Sequence, residues 1–138
     1  RFVAPDARLS VMEIKWGLIP DMSGSQTLRR LVRLDVAKEL TFTGRVVSGV
    51  EAAALGLATH LSDTPREAAF ELAREIAAKS PSAIRAGKRL LEASGVIDVE
   101  AGLRLEEQLQ MQLFGKPDQI EAVSANAQKR EPRFTQPD

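Results

Sequence analysis

The sequence predicts an α/β fold with few, short strands in its first half and mostly helices in its second half. Two helix-start signals, at Ser48–Glu51 and Thr64–Glu67, each precede residues that favour helix. Apolar residues then recur at helical spacing through most of the second half. Aromatic residues make up only 4% of the chain, so most of a sheet would have to come from elsewhere. We therefore expect these 138 residues, which begin at Arg1 without Met, to be part of a longer polypeptide.

Composition and charge exclude several functions. The 19 Lys and Arg residues balance 19 Asp and Glu residues, so the chain lacks the basic excess typical of a nucleic-acid-binding protein. There is no cysteine and only one histidine, His60, which excludes disulfides and cysteine-based zinc sites, and no metal site is expected. No apolar run approaches the roughly 18 residues of a membrane span, and no signal-peptide pattern is present. We expect a cytoplasmic protein that contacts neither nucleic acid nor membrane.

The first half should contain short elements separated by a loop. We expect an extended segment over residues 9–14 and a Gly- and Pro-rich loop over 17–24. Three helices should follow, over 25–32, 35–40 and 48–55, and then a strand over 57–61. Asp35 is the expected N-cap of the second helix. Ser48 and Glu51 form a capping box that starts the third helix, and Gly56 is expected to end it in a left-handed conformation.

The second half should contain four helices. They are expected to begin near Thr64, Ser80, Asp98 and Pro117. The first, second and last of these helices each carry an apolar stripe that should face a core. The stripe of the first is Ala69, Leu72, Ala73 and Ile76, that of the second is Ala83, Ile84, Gly87, Leu90 and Leu91, and that of the last is Ile120, Val123 and Ala127. The third helix, over 98–114, is apolar around about half its circumference. We therefore expect it to be covered on two sides and to form a subunit interface.

Few residues stand out as candidates for chemistry. The chain has no dinucleotide-binding, P-loop or zinc-protease motif. A lone His60 is expected to be structural or exposed, and Ser23 or Ser25, which lack the frame of a serine nucleophile, should cap a helix. Glu13 lies among apolar residues before the loop, where the ionised form is disfavoured and acid–base chemistry becomes feasible. On the residues alone, a water-facing glutamate on an edge strand is the favoured alternative.

Five stretches of the chain together resemble a known family. They are Ala4–Ala7, Glu13–Pro20, Gly24–Val32, Thr43–Ser48 and Glu51–Ala58, in that order and spacing. In this register they are similar to the second half of the crotonase superfamily, the enoyl-CoA hydratase/isomerase family. The resemblance extends from Arg1 to about Phe134, and members of the family are about twice as long as this chain.

The resemblance implies a fold and an assembly. Crotonase-like proteins form a spiral of ββα turns followed by a helical C-terminal region through which they trimerise. Residues 1–63 would then be the last turns of the spiral core, and residues 64–138 the helical trimerisation region. The expected assembly is a homotrimer or a dimer of trimers.

The resemblance also implies an activity. Glu13 matches the second of two catalytic glutamates in the hydratases, which holds a water and exchanges a proton at the acyl chain. Two backbone N–H groups stabilise the thioester enolate. These donors and the first glutamate belong to the half of the family that this chain does not cover. The expected function is hydration of a trans-2-enoyl-CoA in fatty-acid metabolism, with the acyl-CoA thioester as substrate and no cofactor.

Further substrate-binding residues follow from the same resemblance. Trp16, Pro20, Asp21 and Met22 are expected at the acyl pocket. Lys129 and Arg130 match a basic pair that meets the CoA moiety in the family, although a solvated helix end that complements the helix dipole is an equal alternative.

The chain departs from the family pattern at two places. Pro20-Asp21-Met22-Ser23-Gly24 replaces the common Pro-Gly-Ala-Gly-Gly, and Asn126 replaces a frequent aromatic residue. The acyl pocket should therefore differ from that of other members. Because one superfamily supports several reactions, an enoyl-CoA isomerase, other acyl-CoA chemistry and a catalytically silent assembly subunit stay open as alternatives.

Overall fold

A computed structural model of the chain describes residues 1–135. Within that range the elements in chain order are β1 (Phe2–Val3), β2 (Arg8–Leu9), a 3₁₀ helix (Glu13–Trp16), α1 (Gly24–Leu31), α2 (Leu34–Thr43), β3 (Val47–Ser48), α3 (Gly49–Leu55), β4 (His60–Leu61), α4 (Pro65–Ala77), α5 (Pro81–Ser94), α6 (Val99–Leu113) and α7 (Pro117–Ala127). The chain divides into two compact units, Arg1–Leu72 and Ala73–Asp138, so that the boundary lies within α4.

The strands of the first unit form two small two-stranded sheets. β1 pairs with β4 in parallel, with Phe2 opposite His60, and β2 pairs with β3 in antiparallel, with Leu9 opposite Val47. The rings of Phe2 and His60 lie 4.9 Å apart between centroids. The two rings are tilted by 31°, and His60 is exposed, which agrees with the expectation of a structural or exposed histidine.

The start of α3 packs closely against the loop that follows β1. A Cβ atom on Gly49 would lie 1.9 Å from the backbone oxygen of Ala4, so only glycine fits there. The Ser48 hydroxyl accepts a hydrogen bond from the backbone N–H of Glu51 at 3.2 Å, and α3 ends at Gly56 in the left-handed region. The predicted start and end of this helix are therefore confirmed.

The core of the first unit lies between α2, α3 and the strands. Its buried side chains are Leu40, Val47, Ala52 and Ala58, against which pack the partly buried Val3, Leu9, Val11, Val36, Ala53, Leu55 and Leu57. Removal of this apolar surface from water is the main favourable contribution to folding of the unit.

Arg45 joins α2 to α3. Its Nε donates to Glu39 Oε1 at 2.7 Å and its guanidinium donates to Glu51 Oε1 at 2.6 Å. The Glu51 carboxylate is thus turned toward Arg45, so the predicted capping box is only half formed. Hydrogen bonds to Glu51 and Glu39 raise the pKa of Arg45, and this cation holds the two helices together at the surface.

The second unit is helical. α5 packs along α6, and Leu109 and Ala125 are its buried apolar side chains. The hydroxyls of Ser80 and Ser82 each donate to Asp118 Oδ2 at 3.1 Å. These bonds fix the first turn of α7 against the start of α5.

Several sequence predictions need correction. The extended segment over 9–14 ends at Leu9, and a 3₁₀ helix begins at Glu13. The predicted strand over 57–61 is reduced to His60–Leu61. Asp35 lies inside the first turn of α2, and Arg33 occupies the N-cap position instead. The Asp35 carboxylate forms an ion pair with Arg33, two residues earlier, and this ion pair competes with capping.

The apolar stripes of the second half also differ from expectation. Most of their members are exposed in the single chain, including Leu72, Ile76, Ile84, Leu91, Ile120 and Val123. In α7 the small side chain of Ala125 is buried instead, because the bonds from Ser80 and Ser82 to Asp118 orient the helix. In α6 one apolar side holds the buried Leu109, whereas Leu103 on another side is 61% exposed.

We predict that Gly49→Ala destabilises the protein by at least about 3 kcal/mol, because the new methyl group overlaps a backbone oxygen that cannot move cheaply. Gly102→Ala in α6 is the matched control. A Cβ at Gly102 meets nothing within 4 Å, so this change should raise the free energy of unfolding by about 0.5–1 kcal/mol. Urea denaturation measures both, and equal stability of the two variants would contradict the close packing of α3.

Candidate active site

Glu13 is the first residue of the 3₁₀ helix between β2 and α1. Its Oε2 atom is buried and has no hydrogen-bond partner among residues 1–135. The alternative of a glutamate on an edge strand is therefore wrong, since Glu13 lies in a 3₁₀ helix, where its side chain is half-buried. A buried polar atom without a partner costs about 1–3 kcal/mol, and more when the group is charged. Such an exception calls for an explanation, and a bound water or substrate is the explanation typical of an active site.

The Glu13 turn, which we define as residues 13–17, is held by the end of α2. Gly44, with φ 58°, has no Cβ, and a Cβ there would lie 2.9 Å from Ile14 Cγ2. The hydroxyl of Ser10 donates to the Gly44 carbonyl at 2.8 Å. Gly17 closes the turn in the left-handed region. The position of Glu13 thus follows from contacts with α2 rather than from a local strand.

The loop after the Glu13 turn presents apolar side chains to solvent. The backbone N–H of Leu18 donates to the Glu13 carbonyl at 3.1 Å, which fixes the start of the loop next to the turn. In the loop Ile19 is 82% exposed and Met22 95%, and in the adjoining turn Trp16 is 71% exposed. Side chains of this size are seldom left in water without a ligand or partner. The loop is therefore a candidate surface for an apolar group.

The end of this loop is strained. Met22 and Ser23 both have positive φ values, 46° and 69°, which cost about 1–3 kcal/mol each for non-glycine residues. Ser23 is at the N-cap position of α1, but its hydroxyl makes no capping hydrogen bond. A side chain that caps normally requires extended backbone, so the left-handed conformation explains why this prediction fails.

The predicted acyl-pocket residues do not share one cavity. Trp16, Asp21 and Met22 are exposed, whereas Pro20 is partly buried. Pro20 borders a cavity of about 190 Å³ between α1 and α2, whose other lining residues include Leu28, Leu34 and Phe42. The cavity is bordered by apolar side chains, and Asp21 is an exposed acidic residue of the neighbouring loop.

Lys129 and Arg130, in the second unit, have different environments. The Arg130 guanidinium forms a two-point ion pair with Glu121, with N–O distances of 2.6 and 2.9 Å. The ammonium of Lys129 makes no hydrogen bond or ion pair with any residue that the structure describes, and its backbone is left-handed, with φ 53°. In the predicted basic pair, the Arg130 guanidinium is thus occupied by Glu121, whereas the Lys129 ammonium has no partner among residues 1–135.

Glu121 is a residue that sequence reasoning missed. Hydrogen bonds from Arg130 and from the backbone N–H of Arg133 lower its pKa to about 2. Because the pKa is depressed, the ion pair contributes fully above the usual carboxyl range and is lost as the pH falls toward 2. The two partners are nine residues apart, beyond the spacing of neighbouring helix turns, and no local sequence signal connects them.

Within residues 1–135, no group of three or more His, Asp or Glu side chains is arranged to hold a metal ion. A carboxylate such as that of Glu13 can exchange a proton with a bound water.

Comparisons with known proteins identify relatives of about twice this length. A family model described as enoyl-CoA hydratase/isomerase matches residues 1–137. The chain is 34% identical over 140 residues to mitochondrial methylglutaconyl-CoA hydratase of Mus musculus, covering 97% of the chain and 45% of the relative. It is 35% identical over 140 residues to mitochondrial enoyl-CoA hydratase domain-containing protein 2 of Homo sapiens, covering 97% and 48%. The chain therefore spans about half the length of the curated relatives it matches.

A solved structure matches the fold. The crystal structure of enoyl-CoA hydratase from Bacillus anthracis aligns with a TM-score of 0.93 at 33% identity, over 97% of this chain and 53% of that one. This match confirms the predicted α/β crotonase-like fold. The predicted cytoplasmic location is wrong, since the two curated relatives are named as mitochondrial proteins. The prediction of a cytoplasmic location relied only on the absence of a targeting pattern in the sequence. No helix within residues 1–135 is long and apolar enough to cross a membrane.

Proposed function

The chain belongs to the enoyl-CoA hydratase/isomerase family, and from this membership we propose that the complete protein adds water to a trans-2-enoyl-CoA thioester. The observation that carries the proposal is the buried, unpartnered Oε2 of Glu13. An oxygen in that state lacks a hydrogen-bond donor, and a water poised to react supplies one. The mouse and human relatives are named for hydratase activity or a hydratase domain, which supports this direction.

The proposed reaction needs one proton acceptor and one proton donor. Glu13 holds the water and removes a proton from it while the water oxygen bonds to the β-carbon of the enoyl group. The α-carbon then receives a proton, and the double bond is lost. Charge that develops on the thioester oxygen requires preorganised N–H donors. In this proposal those donors and a second carboxylate come from the part of the protein outside this chain.

The loop after the Glu13 turn is proposed to bind the acyl chain. Met22 in the loop and Trp16 at the end of the turn supply exposed apolar surface, and Pro20 borders the cavity between α1 and α2. Asp21 introduces a carboxylate beside this surface. We therefore propose a substrate whose acyl group differs from a plain alkyl chain, since a charge next to an alkyl group would be desolvated without a partner.

Two alternatives use the same residues. An enoyl-CoA isomerase would employ Glu13 to move a proton between carbons without adding water. A silent assembly subunit would keep the apolar surfaces but would not need an unpartnered carboxylate oxygen. The buried Oε2 of Glu13 favours an enzyme over the second alternative.

The complete protein is further proposed to be a homotrimer or a dimer of trimers. The support is on α6, where one apolar side packs within the second unit and another stays exposed in the single chain. The exposed side chains are Val99, Leu103, Met111 and Phe114. A closed ring in which each copy covers the next would remove this surface from water.

We predict that Glu13→Gln lowers kcat of the complete protein by at least about a hundredfold, because general acid–base catalysis contributes about 10²–10⁴. Loss of absorbance of the conjugated thioester measures the rate. Glu75→Gln, at an exposed glutamate of α4, is the matched control and should keep the wild-type rate. A Glu13→Gln protein that is folded and as active as wild type would remove Glu13 from the mechanism.

For assembly, we predict that Leu103→Asp converts the oligomer to smaller species, because it would bury an unpaired charge in the interface. Light scattering at micromolar concentration measures the mass. Gln108→Asp, about 140° around the same helix, adds the same charge on a polar side and should leave the oligomer intact. A Leu103→Asp protein with the wild-type mass would contradict the proposed role of α6.

A further inference from the structure

Hydrogen bonds from Arg130 hold the segment after α7, residues 128–133, in place. Besides its two-point ion pair with Glu121, Arg130 donates from Nε to Gln128 Oε1 at 2.7 Å and from a terminal nitrogen to the Glu131 carbonyl at 3.1 Å. Two-point pairing between guanidinium and carboxylate is directional and stronger than a neutral hydrogen bond. All the nitrogens of Arg130 are thus engaged within the chain.

Glu121 holds the same segment at a second point. Its Oε1 also accepts a hydrogen bond from the backbone N–H of Arg133 at 2.7 Å. We call the contacts among Glu121, Gln128, Arg130, Glu131 and Arg133 the Arg130 clamp. The Glu121 side chain is 23% exposed and that of Arg130 is 39% exposed, so the pair is better shielded from water than an ordinary surface ion pair.

Lys129 lies between the fastened residues. Its φ of 53° is in the left-handed region, which a residue with a Cβ adopts only when its surroundings impose it. The clamp holds the residue on each side of it, Gln128 and Arg130. The clamp therefore fixes the backbone that carries the Lys129 ammonium, which has no partner in the described part of the chain.

We propose that Glu121 is a positioning residue for substrate binding: through Arg130 it fixes the left-handed turn that presents Lys129 to the phosphate groups of the CoA moiety. In this arrangement Arg130 does not contact the substrate. The inference rests on the proposed function for its substrate class. A lysine ammonium is a compact charge suited to phosphate, and a fixed backbone lowers the entropy lost when it binds.

The test compares the affinities of CoA and pantetheine, which lacks the nucleotide phosphates, for the complete protein by calorimetric titration. We expect Glu121→Gln to weaken CoA binding about tenfold, the range of one lost charge-assisted contact, and to leave pantetheine binding unchanged. Lys129→Ala should give the same pattern. The double variant should be no weaker than either single variant, because both remove one coupled interaction. Glu75→Gln is again the control and should bind both like wild type.

Different binding results distinguish failure of the inference about Glu121 from failure of the proposed reaction. Tighter CoA binding by Glu121→Gln would mean that the freed Arg130 is the phosphate ligand, which overturns the inference. Equal losses for CoA and pantetheine, or none for either, would reduce the clamp to a structural role and would also overturn it. A wild-type protein that binds CoA but does not hydrate enoyl-CoA would refute the proposed reaction alone. A wild-type protein that does not bind CoA would overturn both.

Discussion

The packing of the Glu13 turn against Gly44 determines where the candidate catalytic carboxylate lies. A side chain at position 44 would collide with Ile14, so the turn can approach α2 only because this residue is glycine. The bond from Ser10 to the Gly44 carbonyl fixes the same contact from the other side. α2 is in turn joined to α3 by Arg45. The buried oxygen of Glu13 is thus a consequence of how the first unit packs.

Two carboxylates of this chain show opposite ways of using a glutamate. Glu121 is saturated with hydrogen-bond donors, and its pKa of about 2 keeps it ionised at neutral pH, so it serves as a fixed anchor for Arg130. Glu13 has an oxygen without any donor among the described residues. A group in that state can take up a water or a proton during a reaction. The same side chain is therefore a scaffold in one unit and a candidate acid–base group in the other.

Local signals in the sequence predict local structure well. The N-caps Ser48 and Asp98 accept hydrogen bonds from the backbone three residues later, as their positions imply. Local sequence signals do not predict structural features that depend on contacts between residues distant in the chain. Helical periodicity identifies the apolar sides of α6 but does not tell which one packs against α5, and the 3₁₀ conformation at Glu13 depends on Gly44. The site residue Glu13 and the family were accessible only through the order and spacing of several short stretches.

The central claim is that Glu13 serves a reaction in which water is added to an enoyl thioester. It is tested most directly by incubating the complete protein with trans-2-enoyl-CoA in water labelled with heavy oxygen and measuring the mass of the product. We expect a hydroxyacyl-CoA that carries the heavy oxygen on its β-carbon. A product of unchanged mass with a shifted double bond, or recovery of the substrate alone, would contradict it.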